Sequence, residues 1–180
     1  MQTIDEGHVK AALDMGAEGI VFPLVRTAAE AERCVSLVTY PPAGTRGWGP
    51  FVAHSRYGTS LAGYANEVGP QVTCCLLIET PEAVENIESI LDVPGVDLVV
   101  IAQFDLSTAL GVFGQFDSPV FLDAVDTIER AAIARGMPLC AAALTPEQTA
   151  LLIAKGYRVF AHGFDVLMLK NQIAGFRTWT

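Results

Sequence analysis

Residues 72–102, VTCCLLIETPEAVENIESILDVPGVDLVVIA, contain the pattern that decides the fold. Two short apolar runs, residues 72–78 and 98–102, are typical of strands that are buried on both faces. Between them, Thr80 followed by a proline is typical of the start of a helix, and this helix is predicted to run to about Leu91. The stretch therefore predicts a strand–helix–strand unit of a parallel sheet.

The same alternation of short apolar runs and helices extends in both directions from this unit. The further predicted segments are strands at residues 19–24, 139–142 and 158–162, helices at residues 8–15, 27–38, 118–134, 145–156 and 164–176, and a Pro- and Gly-rich loop at residues 40–49. This order predicts an α/β protein with a parallel sheet and helices outside it. Five strands are too few for a complete (β/α)₈ barrel, which takes ~250 residues. An incomplete barrel and a doubly wound five-stranded sheet both fit the periodicity.

The composition favours one globular domain over the whole chain, residues 1–180. Hydrophobic residues make up 51% of the sequence, which is enough for a buried core. The net charge of −9 disfavours binding to nucleic acid, because an acidic surface repels phosphates. The apolar runs are much shorter than the ~20 residues of a membrane-spanning helix, and the N-terminal ten residues lack a secretory signal pattern. We therefore expect a cytoplasmic protein without a membrane partner.

The four cysteines do not form a metal or redox motif. Cys74 and Cys75 are adjacent within an apolar run, whereas Cys34 and Cys140 are isolated, and no C-x-x-C spacing occurs. We expect buried, reduced thiols.

Two carboxylates follow neighbouring strands of the predicted sheet. Glu79 comes directly after the strand at residues 72–78, and Asp105 follows the strand at residues 98–102. Active sites of parallel α/β folds lie at the carboxyl ends of the strands, and neighbouring strands are ~4.8 Å apart. The two carboxylates would thus form a site for a hard divalent cation, Mg²⁺ or Mn²⁺. The alternative is that both only cap helices, although Thr80 can already cap the first of these.

The motifs in this region resemble those of the HpcH/HpaI aldolase/citrate lyase family. The similarity is carried by LIETPEAVENI (residues 77–87), PGVD (residues 94–97) and DLSTALG (residues 105–111). Residues 12–31 and the loop at residues 40–50 resemble the family's third barrel strand with its helix and the loop that follows.

The resemblance implies a (β/α)₈ barrel of which this chain lacks about the first two βα units. It implies that Glu79 and Asp105 bind the divalent metal ion. In the family this metal chelates pyruvate or a related 2-keto acid and stabilises its enolate during reversible aldol cleavage. The expected function is therefore that of a metal-dependent carbon–carbon lyase of the class II pyruvate aldolase type.

The sequence departs from the family pattern in places that affect the chemistry. Nothing in residues 1–16 resembles the family's loop histidine, which acts as the base, or its arginine, which binds the pyruvate carboxylate. The family's glycine-proline-alanine before the metal aspartate is replaced here by Ala102, Gln103 and Phe104. We expect Gln103 and Phe104 to line the substrate site, with Phe104 much bulkier than the family's alanine.

Other residues are candidates for the missing roles. His162, at the end of the last strand, is a candidate replacement base, and His54 could reach the site if its loop folds over it. Arg46 could bind a carboxylate, with Gly47 and Trp48 beside the substrate. The alternatives are structural histidines, an arginine that organises its loop or a subunit contact, and a tryptophan that only packs.

The resemblance also predicts a homo-oligomer. An incomplete barrel exposes two sheet edges, which favour association. Family members form dimers that exchange their last helix and assemble further, so residues 164–180 are predicted to exchange between subunits. The alternative to an enzyme is a non-catalytic relative that binds a small acid or partners a full-length homologue. A third alternative is that the chain is part of a longer protein.

Overall fold

The computed structural model describes residues 4–176, in which five parallel strands form a curved sheet with helices on its outer side. The elements in chain order are α1 (Glu6–Asp14), β1 (Gly19–Phe22), α2 (Ala28–Val38), α3 (Ala53–Arg56), α4 (Tyr64–Glu67), a 3₁₀ turn (Gly69–Gln71), β2 (Thr73–Ile78), α5 (Pro81–Glu85), α6 (Ile87–Leu91), β3 (Leu98–Ile101), α7 (Gln103–Ala109), α8 (Pro119–Arg135), β4 (Leu139–Ala142), α9 (Pro146–Ala154), β5 (Val159–Ala161) and α10 (Asp165–Phe176).

The order of the strands decides between the two architectures that the sequence left open. The strands lie in the order β1-β2-β3-β4-β5, and each neighbouring pair is parallel. Each connection therefore moves one strand further in the same direction, as in a (β/α)₈ barrel. A doubly wound sheet would reverse direction at a switch point. The incomplete barrel is confirmed, and the doubly wound sheet is wrong.

Alternate residues along the strands determine where the core lies. One set points outward to the helices and is buried: Ile20, Phe22, Cys74, Leu76, Ile78, Val99, Ile101, Leu139 and Ala141. These side chains pack against buried residues of the helices, such as Leu13 of α1 and Ile128 of α8. On the opposite, concave face, Val21 is 42% exposed. The helix layer thus holds the curved sheet together, while part of its concave face contacts solvent.

Local backbone geometry shortens some of the predicted elements. The strand predicted at residues 19–24 ends at Phe22, because the chain turns at Leu24, whose φ is +57°. The helix predicted at residues 80–91 is divided into α5 and α6 at Asn86, whose side-chain amide donates to the carbonyl of Arg26 (3.0 Å). Helices α3 and α4 were not predicted from the sequence. A helix at Asp105 is assumed only in the capping alternative, and α7 contains Asp105 as its third residue, with Ala102 at the N-cap.

The start of α2 shows how the sequence fixes a helix end. Thr27 Oγ1 accepts a hydrogen bond from the amide of Glu30 (3.3 Å), and Glu30 Oε2 accepts one from the amide of Thr27 (3.2 Å). This capping box satisfies two backbone donors that the helix itself leaves without partners.

We expect Thr27→Ala to lower the free energy of unfolding by about 1 kcal/mol, the usual effect of removing such a cap. The melting temperature should fall by about 2–4 °C, as measured by circular dichroism. Thr27→Ser, which keeps the hydroxyl, should melt close to the parent. Equal melting of the alanine variant and the parent would contradict the proposed contribution of the cap.

The prediction of buried, reduced cysteines is confirmed. All four cysteines are free and buried. Burial raises the pKa of Cys34 to about 12 and that of Cys75 to about 11, so both remain thiols at neutral pH.

The last helix, α10, has an apolar surface that the described residues 4–176 leave exposed. It contains no buried residue, and Met168, Leu169 and Ile173 are exposed. The exchange of residues 164–180 between subunits stays a prediction, and residues 177–180 lie outside the described part of the chain. Within residues 4–176, no helix is long and apolar enough to cross a membrane.

Candidate functional site

The two carboxylates predicted to bind metal lie at the carboxyl ends of neighbouring strands. Glu79 directly follows β2, and Asp105 is the third residue of α7, which begins two residues after β3 ends. In the sheet, Ile78 is paired with Ile101, and the amide of Ala102 donates to the carbonyl of Ile78 (3.3 Å). The two strands therefore end at the same level, and both acidic residues follow at this edge.

Glu79 is held in a buried position by the loop after β1. Glu79 is only 6% exposed, and its Oε1 accepts a hydrogen bond from the amide of Leu24 (2.6 Å). Leu24 has a left-handed backbone conformation, which is uncommon for a bulky residue. This conformation occurs at the turn after β1, where the Leu24 amide donates to Glu79. The glutamate is thus oriented by the main chain, with Oε2 left for a ligand.

The electrostatic environment of Glu79 favours a cation. Burial raises the pKa of its carboxyl group, and the negative charge of Asp105 raises it further. The Leu24 amide and Arg26 act in the opposite direction and lower this pKa. A cation between the two carboxylates would remove the repulsion between Glu79 and Asp105.

The donor set fits a hard divalent cation. In the part of the chain that the structure describes, no group of three or more His, Cys, Asp or Glu side chains could hold a metal ion. Two carboxylates are too few for a site made of protein ligands alone. They suit Mg²⁺ or Mn²⁺, which commonly take one or two carboxylates and complete their shell with water and substrate. Glu79 and Asp105 could therefore hold such an ion.

Phe104 lies beside Asp105, and its ring belongs to an aromatic cluster. The ring centroids of Phe104 and Phe116 are 5.0 Å apart in an edge-on arrangement, and those of Phe104 and Phe113 are 6.4 Å apart. These contacts hold the bulky ring against the segment that follows α7. Gln103, the first residue of α7, is half-buried at the same edge. Their role in substrate binding stays a prediction.

His162 lies at the same edge of the sheet, directly after β5. Its Nδ1 is 3.0 Å from the carbonyl oxygen of Ala143. Because a carbonyl only accepts hydrogen bonds, Nδ1 carries a proton and donates a hydrogen bond to this oxygen. The ring stacks on Phe160 and lines a cavity of about 380 Å³ together with residues such as Thr149. Since β4 lies between β3 and β5, His162 is two strands away from the strand that precedes Asp105.

Arg46 lies at the opposite edge of the sheet. Its side chain is 0% exposed, and its Nη2 is 3.5 Å from Asp14 Oδ1. Asp14 ends α1, shortly before β1 begins, so this ion pair lies at the amino-terminal ends of the strands. The guanidinium also lies over the ring of Tyr40, 4.4 Å from its centroid. Within one chain, the structure does not bring Arg46 to Glu79.

The neighbours of Arg46 share this position. Gly47 packs close to the side chain of Lys10 in α1, and the ring of Trp48 is 5.7 Å from that of Tyr40. His54 lies in α3, where its Nδ1 is 3.0 Å from the carbonyl of Pro50, and Tyr57 directly after α3 donates its hydroxyl to the carbonyl of Gly16, shortly before β1 (3.2 Å). Gly47, Trp48 and His54 therefore lie apart from the two carboxylates in this chain.

Leu24 and Arg26 are the contributors to this edge that sequence reasoning missed. The position of Arg26 is visible in the sequence, because this residue follows the end of a predicted strand as Glu79 does, but the pattern alone assigns it no role. No residue pattern signals the left-handed conformation of Leu24, because leucine rarely adopts it.

The chain is similar to two curated aldolases and to a solved structure. The 2-dehydro-3,6-dideoxy-6-sulfogluconate aldolase of Pseudomonas putida is 37% identical over 167 residues, which are 91% of this chain and 64% of that protein. The 2-keto-3-deoxy-L-rhamnonate aldolase of Escherichia coli K12 is 31% identical over 165 residues, 92% of this chain and 62% of that protein. The crystal structure of an HpcH/HpaI aldolase from Desulfitobacterium hafniense superposes with a TM-score of 0.88 at 31% identity, covering 99% of this chain and 70% of that one.

This chain spans less than two thirds of the length of these two curated relatives. The similarity nevertheless extends over almost all of the chain, since the family model for HpcH/HpaI aldolase/citrate lyase matches residues 2–172. The resemblance seen in the motifs is confirmed: the chain belongs to the HpcH/HpaI aldolase/citrate lyase family.

Proposed function

We propose that this protein is a divalent-metal-dependent carbon–carbon lyase that forms and cleaves aldol products of pyruvate or a related 2-keto acid. The observation that carries the proposal is the position of Glu79 and Asp105 at the ends of neighbouring strands, where the charge of one raises the pKa of the other. The two curated relatives are aldolases by name, which supports the reaction class.

Their names also indicate the type of substrate. Both describe a six-carbon acid with a keto group at carbon 2 and no hydroxyl at carbon 3. Cleavage of such an acid between carbons 3 and 4 yields pyruvate and an aldehyde. We therefore propose a 2-keto-3-deoxy acid as substrate.

Glu79 and Asp105 would hold Mg²⁺ or Mn²⁺. When bound, the cation would act as a Lewis acid toward the 2-keto acid and stabilise the negative charge that develops on its keto oxygen. Leu24 orients Glu79 through its amide, so the carboxylate needs little reorganisation to receive a cation.

Proton transfer needs a base beside the keto acid, and His162 lies on the other face of the sheet. Its ring stacks on Phe160, which pairs with the outward-facing Ala141, and it faces a cavity lined by residues of α9. In the addition direction, a base takes a proton from the methyl group of pyruvate, and the electron pair of that C–H bond forms the enolate double bond as charge moves to the oxygen. The enolate carbon then bonds to the aldehyde carbon, and the new alkoxide takes up the proton that the base removed.

Exchange of the pyruvate methyl protons tests the proposal without knowledge of the aldehyde. In D₂O with Mg²⁺ or Mn²⁺, we expect the protein to accelerate loss of the methyl NMR signal by at least about 100-fold, the lower range for a positioned acid or base. Removal of the metal with EDTA should stop the exchange, and restoring the cation should recover it.

The alternative function gives a different result in the same experiment. A non-catalytic relative that binds a small acid would shift or broaden the pyruvate signal in the presence of metal without exchange. The absence of methyl-proton exchange with the metal-loaded protein would contradict the lyase proposal.

A further inference from the structure

The carboxyl edge of the sheet carries almost exclusively negative charge. The described segments that follow the five strands at this edge are residues 23–27, 79–82, 102–105, 143–147 and 162–165. Within these segments, five residues are acidic and Arg26 is the only arginine or lysine. A ligand with an anionic group beyond the metal-binding end would therefore find a single fixed positive charge there.

The backbone of Arg26 is held by hydrogen bonds to α2 and to the turn between α5 and α6. Its amide donates to Glu30 Oε2 (2.7 Å), and its carbonyl accepts from the side chain of Asn86 (3.0 Å), between α5 and α6. Two residues earlier, the amide of Leu24 donates to Glu79 Oε1 (2.6 Å). The position of Arg26 relative to Glu79 is thus set by hydrogen bonds on both sides of the residue.

The guanidinium group itself is only weakly engaged. Among residues 4–176 its ion pair is with Glu82, at 3.9 Å between Nε and Oε2, and the two side chains are 41% and 55% exposed. Exposed pairs of this kind contribute little to stability, because solvent and salt screen them. The group can therefore turn from Glu82 to a ligand, to which an arginine can donate two parallel hydrogen bonds.

We propose that Arg26 determines specificity by binding a second anionic group, a carboxylate or a sulfonate, at the end of the substrate opposite the 2-keto acid. This inference rests on the proposed function, because it places the keto acid at Glu79 and Asp105. The remote anionic group would belong to the aldehyde half of the aldol product.

Ligand binding to the Mg²⁺-loaded protein tests this role independently of turnover. The probes are 2-oxoglutarate and 2-oxo-4-sulfobutanoate, which carry a distal carboxylate and a distal sulfonate, and 2-oxopentanoate, which carries a methyl group there. In calorimetric titrations we expect the parent to bind one or both dianions about 10-fold more tightly than 2-oxopentanoate, the effect of one charge-assisted contact. The probe that shows the preference identifies the anionic group.

Arg26→Gln should remove the preference while the Mg²⁺-loaded variant still binds 2-oxopentanoate, which a general structural defect would not do. Arg33→Gln makes the same change of charge on the exposed side of α2 and should keep the preference. A parent without the preference, or an Arg26→Gln variant that keeps it, would overturn the role of Arg26 alone. Failure of the metal-loaded parent to bind any of the three keto acids would overturn the proposed function as well.

Discussion

Glu79→Gln is expected to weaken Mn²⁺ binding by at least about 100-fold, since loss of even an outer-shell partner of a metal ligand costs 10–100-fold. The substitution removes the buried negative charge and keeps an oxygen that can accept the hydrogen bond from the Leu24 amide. The fold should therefore persist while the cation loses one of its two carboxylates. Free Mn²⁺, followed by electron paramagnetic resonance during titration, gives the affinity directly.

Glu82→Gln is the matched control for this experiment. Glu82 lies in the first turn of α5, three residues from Glu79, but its side chain is exposed and its ion pair with Arg26 is long. We expect this variant to bind Mn²⁺ as the parent does. Equal binding by the Glu79 variant and the parent would remove the basis of the metal site, and with it the proposed reaction.

The pH dependence provides a second readout of the same substitution. Burial raises the pKa of Glu79 above its ordinary value of 4.5. Protons compete with the cation for this carboxylate, so Mn²⁺ affinity should begin to fall at a higher pH than for an ordinary glutamate. In the absence of metal, the free energy of unfolding depends on pH in the opposite direction to the Mn²⁺ affinity. The raised pKa of Glu79 stabilises the folded protein at low pH, and this contribution is lost as the pH rises through the folded-state pKa. Glu79→Gln should abolish both effects.

The fold could be predicted to the extent that it depends on local patterns. Apolar runs and threonine caps located all five strands and most of the longer helices, because burial and capping act on neighbouring residues in the sequence. The choice between a barrel and a doubly wound sheet depends on which strands pair. That is a property of distant segments, and the order β1-β2-β3-β4-β5 settles it only in the structure.

The site shows the same division between local and distant information. Glu79 and Asp105 could be found because a carboxylate directly after an apolar strand is a local signal. Arg46 is a candidate for binding a carboxylate because of the geometry of its guanidinium, with a role in organising its loop or in a subunit contact as the alternative. Its ion pair with Asp14 depends on how that loop packs on α1, which no local pattern shows. The contact between Leu24 and Glu79 joins residues 55 positions apart and requires a backbone conformation that the residue type disfavours.

Asp14→Asn is expected to destabilise the protein by about 3 kcal/mol, the lower range for breaking a buried ion pair. The side chain of Arg46 is fully buried, and Asp14 is the carboxylate that pairs with it and also with Lys10. Asparagine still accepts a hydrogen bond, so the substitution isolates the loss of charge. The melting temperature should fall by roughly 6–12 °C in circular dichroism.

Asp126→Asn is the control on the surface. Asp126 pairs with Arg130 one turn further along α8, and both side chains are largely exposed. Such a pair contributes ~0.3–0.5 kcal/mol, so this variant should melt within about 2 °C of the parent. If Asp14→Asn melts like Asp126→Asn, the buried charge of Arg46 does not depend on its carboxylate partner.

Arg46→Met shows why the effect of Asp14→Asn should be large. Within the described residues, Arg46 Nε and Nη1 have no hydrogen-bond partner, and the guanidinium faces the rings of Tyr40 and Tyr64. Methionine removes the buried charge and keeps an apolar stem against these rings, so it should cost less than Asp14→Asn. In the double variant no buried cation remains without a partner, and its stability should therefore be close to that of Arg46→Met alone. Additive losses in the double variant would mean that the two side chains stabilise the protein independently, which contradicts the ion pair as the source of the effect.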